Sequence, residues 1–177
     1  TEIVEAMPRV KQRILTSATS DVGIPKFVGL QRPVFINYLR EGTSQLTIKT
    51  ILTSEKDKLQ SLKKALAFIG HQPGIVFCNF KEALERVSVF LTENIIHHER
   101  FHGGMEQVDR ERALVKFRNG TCQLLLATDL ASRGLDIPEI RFILHYHLPP
   151  SEKEFTHRNG RTARMNRDGV AYILHYK

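Results

Sequence analysis

Short apolar runs alternate with stretches of helical periodicity along most of this 177-residue chain. Gly74 to Asn79, Cys122 to Ala127 and Ile140 to Tyr146 are almost wholly apolar, which is typical of strands buried on both faces of a sheet. Four further runs have the alternation or the β-forming composition of less buried strands. These weaker predicted strands are Val34 to Leu39, Leu46 to Leu52, Asn94 to Phe101 and Gly169 to His175.

Segments of helical spacing lie between the predicted strands. One follows a candidate N-cap at Ser54 and ends at Gly70, and a second follows Asn79 with its apolar residues on one face. A third spans Gln107 to Arg118, and a fourth begins at Ser151, where Ser-x-x-Glu forms a capping box. Strands that alternate with helices predict an α/β fold, with a mainly parallel sheet covered on both faces.

The first part of the chain has a different character. Gly23, Pro25, Gly29 and Pro33 interrupt it at short intervals, as expected of a connecting segment. The total length suits one well-buried domain and leaves little room for a second. The chain begins at Thr1 rather than at an initiator Met, so we expect it to be a piece of a longer protein.

The composition indicates which binding partners and which cellular location to expect. A formal net charge of +7 favours a polyanion such as nucleic acid, although many basic domains bind none. Cys78 and Cys122 both lie in apolar runs, which predicts buried free thiols and a reducing, cytoplasmic location. No apolar run approaches the ~20 residues that span a bilayer, and no signal peptide opens the sequence, so we expect no membrane partner.

Polar residues cluster directly after the apolar run that ends at Ala127. The carboxyl ends of strands open into the binding site of a doubly wound sheet, so these residues are the first candidates for chemistry. They are Thr128, Asp129, Ser132, Arg133, Gly134 and Asp136.

A second cluster consists of arginines. Arg158, Arg161 and Arg164 recur at intervals of three, so on a helix they would form one cationic ridge. Neighbouring guanidinium groups repel one another unless they share an anion, and the planar arginine fork suits phosphate. A solvated basic helix face is the alternative interpretation of this ridge taken alone.

Two weaker signals involve glycine and histidine. Gly103 and Gly104 separate a predicted strand from a helix, where backbone N–H groups can approach a phosphate; a simple turn is the alternative. His145 and His147 lie two apart on a predicted strand and face one way. Because no cysteine cluster or third ligand of suitable spacing accompanies them, we predict no metal site.

The aspartate and arginine clusters together resemble a known family. Leu125 to Ile137 (LLATDLASRGLDI) and Phe155 to Arg164 (FTHRNGRTAR) are similar, in order and separation, to motifs V and VI of the DEAD-box RNA helicases. Gly74 to Asn79 resembles motif IV, although Phe80 replaces its usual threonine. Gln107 and the residues after it resemble the family's Gln-x-x-Arg element.

The resemblance also implies a domain organisation. Ser17 to Thr19 (Ser-Ala-Thr) is similar to motif III, which in the family closes the first of two RecA-like domains. Residues 1–32 would then be the tail of that first domain, with its motif III strand, followed by an interdomain linker. Residues 33–177 would form the C-terminal RecA-like domain, a three-layer α/β/α sandwich.

Individual roles follow from the same resemblance. Arg161 and Arg164 match the arginine fingers that reach the γ-phosphate, and Asp136 and Gly134 match positions at the ribose of ATP. The positions that connect the motifs with each other and with the first domain are Ser17, Thr19, Asp129, Arg133, His157 and Arg158. The positions that hold RNA are Gly103, Gly104, Gln107, Arg110 and Thr128. The departures from the family pattern in motif VI are Ala163 for glycine, Asn159 for an apolar residue and Phe155 for tyrosine.

The expected function is that of a C-terminal domain in an ATP-dependent RNA helicase that unwinds duplexes or remodels ribonucleoproteins. The sequence has no phosphate loop and no Asp-Glu-Ala-Asp, so ATP and Mg²⁺ would be held mainly by a first RecA-like domain in cis, and the fragment alone would be inactive. Expected partners are sequence-tolerant RNA and ribonucleoprotein components. The alternatives are an RNA- or protein-binding module without ATP turnover, and a DNA helicase of the same superfamily.

Overall fold

The computed structural model divides the chain into two compact units, residues 1–43 and 44–177. In the first unit Lys26–Val28 forms one turn of 3₁₀ helix, and the Arg13 guanidinium donates to the carbonyl oxygen of Val28 at 2.9 Å. Val34 and its two successors are exposed and not in a strand, so the strand predicted over 34–39 is wrong in its described part. The residues that the structure describes are 10, 12–16, 23–24, 26–30, 32–36, 46–53, 58–129, 140–162 and 168–176.

The described residues of the second unit form a six-stranded sheet with helices between the strands. Its strand order is β1-β6-β5-β2-β4-β3, and every neighbouring pair is parallel, which confirms the predicted α/β class. The strands are β1 Leu46–Thr53, β2 Gly74–Phe77, β3 Glu99–Phe101, β4 Leu124–Ala127, β5 Phe142–His145 and β6 Gly169–Tyr176. The helices are α1 Lys58–Ile69, α2 Lys81–Glu93, α3 Gln107–Arg118 and α4 Glu152–Asn159.

Side chains of the central strands alternate between two apolar layers, as the pleat of a strand requires. Val76 and Leu126 point to the layer built by α1 and α2, whereas Ile75 and Leu125 point to the opposite layer with Phe117 of α3. Helix α4 covers the same side as α3, because its Phe155 ring stacks on His145 at 4.9 Å. The domain is therefore a three-layer α/β/α sandwich.

Several local features follow directly from the sequence. The Ser151 hydroxyl accepts from the Glu154 N–H at 3.2 Å, which confirms the predicted cap of α4. A Cβ at Gly74 would lie 2.2 Å from the Phe142 ring, so only glycine fits between β2 and β5. The strand predicted over 94–101 begins only at Glu99, because Ile95 has φ 59° in the turn that ends α2.

The structure corrects the prediction of an arginine ridge on one helix. Helix α4 ends at Asn159, so only Arg158 is helical, while Arg161 lies in the following turn. The N–H of Arg161 donates to the carbonyl of Arg158 at 3.1 Å, and that of Thr162 to Asn159 at 3.0 Å. These i→i−3 bonds tighten the chain after the end of the α-helix, so Arg161 does not continue the helical face of Arg158. Arg164 lies outside the described residues.

Candidate functional site

A buried arginine joins the carboxyl ends of three strands. The Arg158 side chain is 1% exposed; its Nε donates to Asp129 Oδ1 at 2.6 Å, and its second terminal nitrogen donates to the other carboxylate oxygen. The guanidinium also donates to the His147 carbonyl at 2.8 Å and to the Asn79 side-chain oxygen at 2.8 Å. We call Arg158, Asp129, Asn79 and His147 the Arg158 cluster. It fastens α4 to the ends of β2, β4 and β5.

Further contacts hold the strand ends around this cluster. The Asn79 side chain donates to the Leu148 carbonyl at 2.9 Å, and Arg158 lies 5.0 Å over the Phe77 ring.

A buried cysteine lies next to the cluster. Burial raises the pKa of the Cys78 thiol to about 12, although the nearby Arg158 charge acts in the opposite direction. Cys78 and Cys122 are buried and free, as predicted, and a thiol with this pKa is an unreactive packing group.

A buried histidine lies beneath α4, next to the Arg158 cluster. Nε2 of His145 is 3.0 Å from the Asn159 side-chain oxygen, whereas Nδ1 of His145 and the Asn159 side-chain nitrogen have no partner among the described residues. Burial lowers the pKa of His145 to about 4, so the ring is neutral at pH 7. His147 lies beyond the end of β5 rather than on the strand, and its Nδ1 is 3.4 Å from the Asn79 N–H.

Arg161 occupies a turn that is fixed on both sides. Before it lies the buried Arg158, and after it the buried Thr162, whose hydroxyl donates to the Ile140 carbonyl at 2.8 Å. Arg161 itself is half-buried. The chain that follows α4 is thus attached to the segment that precedes β5, and the backbone of Arg161 has little freedom to move.

A second group of predicted residues converges on Phe101 at the end of β3. Thr128 donates its N–H to the Phe101 carbonyl at 3.3 Å, and the Arg110 guanidinium lies 5.0 Å over the Phe101 ring. Gly103 follows two residues later, and a Cβ there would meet nothing within 4 Å. The buried Nε of Arg110 has no hydrogen-bond partner among the described residues. We call Phe101, Gly103, Gly104, Arg110 and Thr128 the Phe101 region.

The turn through Gly103 and Gly104 is positioned by a buried histidine. Nδ1 of His102 accepts the Gly104 N–H at 3.2 Å, so Nε2 carries the proton that it shares with Glu85 at 3.0 Å. Burial acts to raise the pKa of Glu85, but hydrogen bonds and charge from Arg100 and His102 outweigh it and lower that pKa. Helix α2 therefore fixes the glycine turn through two side chains, neither of which the sequence pattern singled out.

The remaining predicted site residues divide into two sets. Gln107 is exposed and donates to Glu111 on its own helix at 2.9 Å, and His157 is half-buried on α4 next to Arg158. Ser17, Thr19, Arg133, Gly134, Asp136 and Arg164 lie outside the described residues. Asn79 was missed, although its place directly after an apolar strand was the available signal.

Other features of the described part lie apart from these two regions. A groove of about 680 Å³ runs between the C-terminal ends of α1 and α2, and none of the described site residues lines it. Within the described ranges, no three His, Cys, Asp or Glu side chains come together as a metal site would require. The helices in that part are all too short or too polar to span a bilayer.

The parallel sheet, its two helical layers and the polar clusters at the strand ends define the class as a RecA-like domain. Known structures share this fold: S. cerevisiae Dbp5 bound to RNA and ADP BeF3 aligns with a TM-score of 0.66 and 26% identity over 76% of this chain and 35% of that one. E. coli DEAD-box protein SrmB, bound to regulator of ribonuclease activity A, aligns with a TM-score of 0.65 and 29% identity over 75% and 77%.

Sequence relatives specify the family. Residues 57–166, more than half of the chain, match the helicase conserved C-terminal domain. DEAD-box ATP-dependent RNA helicase 21 of Oryza sativa is 38% identical over 80% of this chain, and ATP-dependent RNA helicase DHH1 of Encephalitozoon cuniculi is 31% identical over 98%. This chain belongs to the DEAD-box family as its C-terminal helicase domain, and it spans 20% and 36% of the length of those two relatives.

Proposed function

We propose that this domain completes the ATP site of an RNA helicase and holds single-stranded RNA by its phosphates. In this proposal Arg161 and Arg164 stabilise charge on the γ-phosphate, and Asp136 with Gly134 contacts the ribose. Ser17, Thr19, Arg133 and His157 contribute to the contact with a first RecA-like domain. ATP supplies the phosphoryl group, with Mg²⁺ held by that first domain.

The observation that carries the proposal is the fixed turn of Arg161. Phosphoryl transfer gains most from cationic groups that are already positioned when charge develops on the equatorial oxygens. Arg161 meets this requirement because its neighbours, Arg158 and Thr162, are both buried and hydrogen-bonded to other segments. A solvated basic face would not need such an attachment.

The RNA part of the proposal is supported by the Phe101 region. Arg110 is half-buried over the Phe101 ring, and the space beside Gly103 is open, so an anion can approach this end of β3. Similar proteins support the choice of ligand, since the Dbp5 structure holds RNA and the named sequence relatives are RNA helicases. Contacts to phosphates carry no base information, so we expect binding that tolerates sequence and weakens with salt.

The test uses the longer protein that contains this chain, compared with the chain alone. The longer protein should hydrolyse ATP faster when RNA is added, and Arg161→Ala should remove that rate while leaving the melting temperature unchanged. The chain alone should show no RNA-stimulated turnover. Full activity in the Arg161→Ala protein would overturn the role of Arg161, and a native longer protein that does not hydrolyse ATP would support a binding module instead. Equal affinity for matched DNA and RNA strands would support a DNA helicase.

A further inference from the structure

An exposed aromatic side chain lies between Asn79 of the Arg158 cluster and Lys81, whose Nζ reaches the glycine turn of the Phe101 region. This residue, Phe80, immediately precedes α2 and is 64% exposed. It stands where the sequence resemblance leads one to expect threonine. Its only described ring contact is with His147, edge-on, at 6.4 Å between ring centroids.

The position of Phe80 is also unfavourable for the helix that it precedes. Phe80 is the N-cap of α2 and makes no side-chain hydrogen bond there, although its backbone is extended as in a hydroxyl-bearing cap. Serine, threonine, aspartate or asparagine at this position would accept from an N–H of the first turn. The chain thus carries an exposed ring where a small polar residue would give a more stable helix.

The residue that follows Phe80 is cationic, and the Phe80 ring contacts an aromatic side chain. Lys81 reaches across the glycine turn, where its Nζ lies 3.1 Å from the point that a Cβ of Gly104 would occupy. On the other side, His147 contacts the Tyr146 ring at 4.8 Å. Burial, with smaller contributions from the Lys58 and Arg158 charges, lowers the pKa of His147 and favours its uncharged form. Proteins that bind single-stranded nucleic acids combine exposed aromatic rings with cationic groups in this way, and the space beside Gly103 is open.

We propose that Phe80 is a stacking platform for one base of the bound RNA, adjacent to the phosphates held at Gly103, Gly104 and Arg110. The inference rests on the proposed RNA-binding function and deepens it. Lys81 neutralises the phosphate between the glycine turn and the stacked base. Every base presents a π-face, so stacking strengthens binding without imposing a sequence.

The experiment is an NMR titration of this chain, with labelled phenylalanine rings, at low ionic strength. The ligands are a nine-nucleotide oligo(A) RNA, an abasic ribose-phosphate oligomer of the same length, and AMP. The variants are Phe80→Thr, which replaces the ring by a favourable N-cap, and Phe80→Trp, which keeps a stacking surface. Phe68→Thr is the matched control, since Phe68 is 77% exposed near the far end of α1.

The proposal predicts that oligo(A) binds the native chain about tenfold more tightly than the abasic oligomer, within the usual effect of stacking one base. Phe80→Thr should remove that difference without lowering the melting temperature, while Phe80→Trp and Phe68→Thr should preserve it. If oligo(A) and the abasic oligomer bind equally, and Phe80→Thr changes neither, the stacking role is wrong and phosphate binding stands. If neither oligomer binds, the proposed RNA-binding function fails first. If only AMP shifts the Phe80 ring, the platform serves a free nucleotide and the RNA assignment is overturned.

Discussion

Two arginines at the same edge of the sheet occupy opposite environments. Arg158 is buried, and its guanidinium makes four hydrogen bonds, to Asp129 twice, to Asn79 and to His147. Arg110 is half-buried, lies over an aromatic ring and leaves its Nε without a described partner. The Arg158 cluster is closed by the protein itself, whereas Arg110 is only partly enclosed and the nearby Gly103 borders open space.

The difference leads us to expect different roles for the two arginines. A guanidinium saturated by a carboxylate and two carbonyl oxygens has little capacity left for a ligand. Arg110 is only half-buried, and its helix begins shortly after the turn in which Gly103 borders open space, which favours a role in binding. We therefore expect Arg158 to act on stability and Arg110 on RNA affinity.

The largest expected effect belongs to neither of these arginines but to Arg161, the proposed arginine finger. In the longer protein, Arg161→Ala should lower kcat of RNA-stimulated ATP hydrolysis by about 10³-fold or more, because arginine fingers contribute about 10³ to 10⁵ in rate. Steady-state ATPase assays measure this loss, and Arg118→Ala is the matched control on an exposed helix end. A fall in melting temperature that parallels the loss of activity would make Arg161 structural.

The next effect tests the closed cluster. Arg158→Met should destabilise this chain by about 3 kcal/mol, because it removes the buried half of an ion pair and takes a donor from the Asn79 and His147 oxygens. Urea unfolding followed by circular dichroism measures the change. Adding Asp129→Asn to Arg158→Met should recover part of the loss, since the carboxylate that lost the guanidinium is then replaced by a neutral group. Unchanged stability in Arg158→Met would contradict the description of the cluster as closed.

A third effect concerns pH and His145, beneath the same cluster. Its folded-state pKa of about 4 lies below the ordinary 6.5, so the unfolded chain binds the proton more tightly. The contribution of the neutral His145 ring to the free energy of unfolding is therefore complete above pH 6.5. It is lost as the pH falls toward 4, by about 3 kcal/mol in total. Unfolding free energies measured across this range should have a smaller slope in His145→Gln. His71→Gln, an exposed site, should leave the slope unchanged.

Local sequence patterns predicted most of the fold but only part of the site. Apolar runs located the central strands, and the capping box located the start of α4. The end of α4 was not predictable from spacing, because the Thr162 hydroxyl bonds a carbonyl 22 positions away at Ile140. The partners of Arg158 could not be predicted from the sequence either, since Asn79 lies 79 positions away and is brought near only by the strand order.

The turn through Gly103 and Gly104 was likewise predictable in part only. Its position between a strand and a helix was predictable, and the structure places it there. Its support was not, because Glu85 belongs to a different helix and reaches the turn only through the His102 ring. Contacts of this kind depend on which elements become neighbours, and periodicity along one segment contains no such information.

The most direct test of the contrast is the salt dependence of RNA binding by the longer protein in its ATP-analogue-bound state. We predict that Arg110→Ala weakens binding by a similar factor for unrelated RNA sequences and lowers the slope of log affinity against log salt by about 0.7, the value for one phosphate contact on a single strand. Its melting temperature should equal that of the native protein. An unchanged slope at unchanged affinity would contradict the account, because Arg110 would then bind no phosphate and the Phe101 region would not be the RNA site.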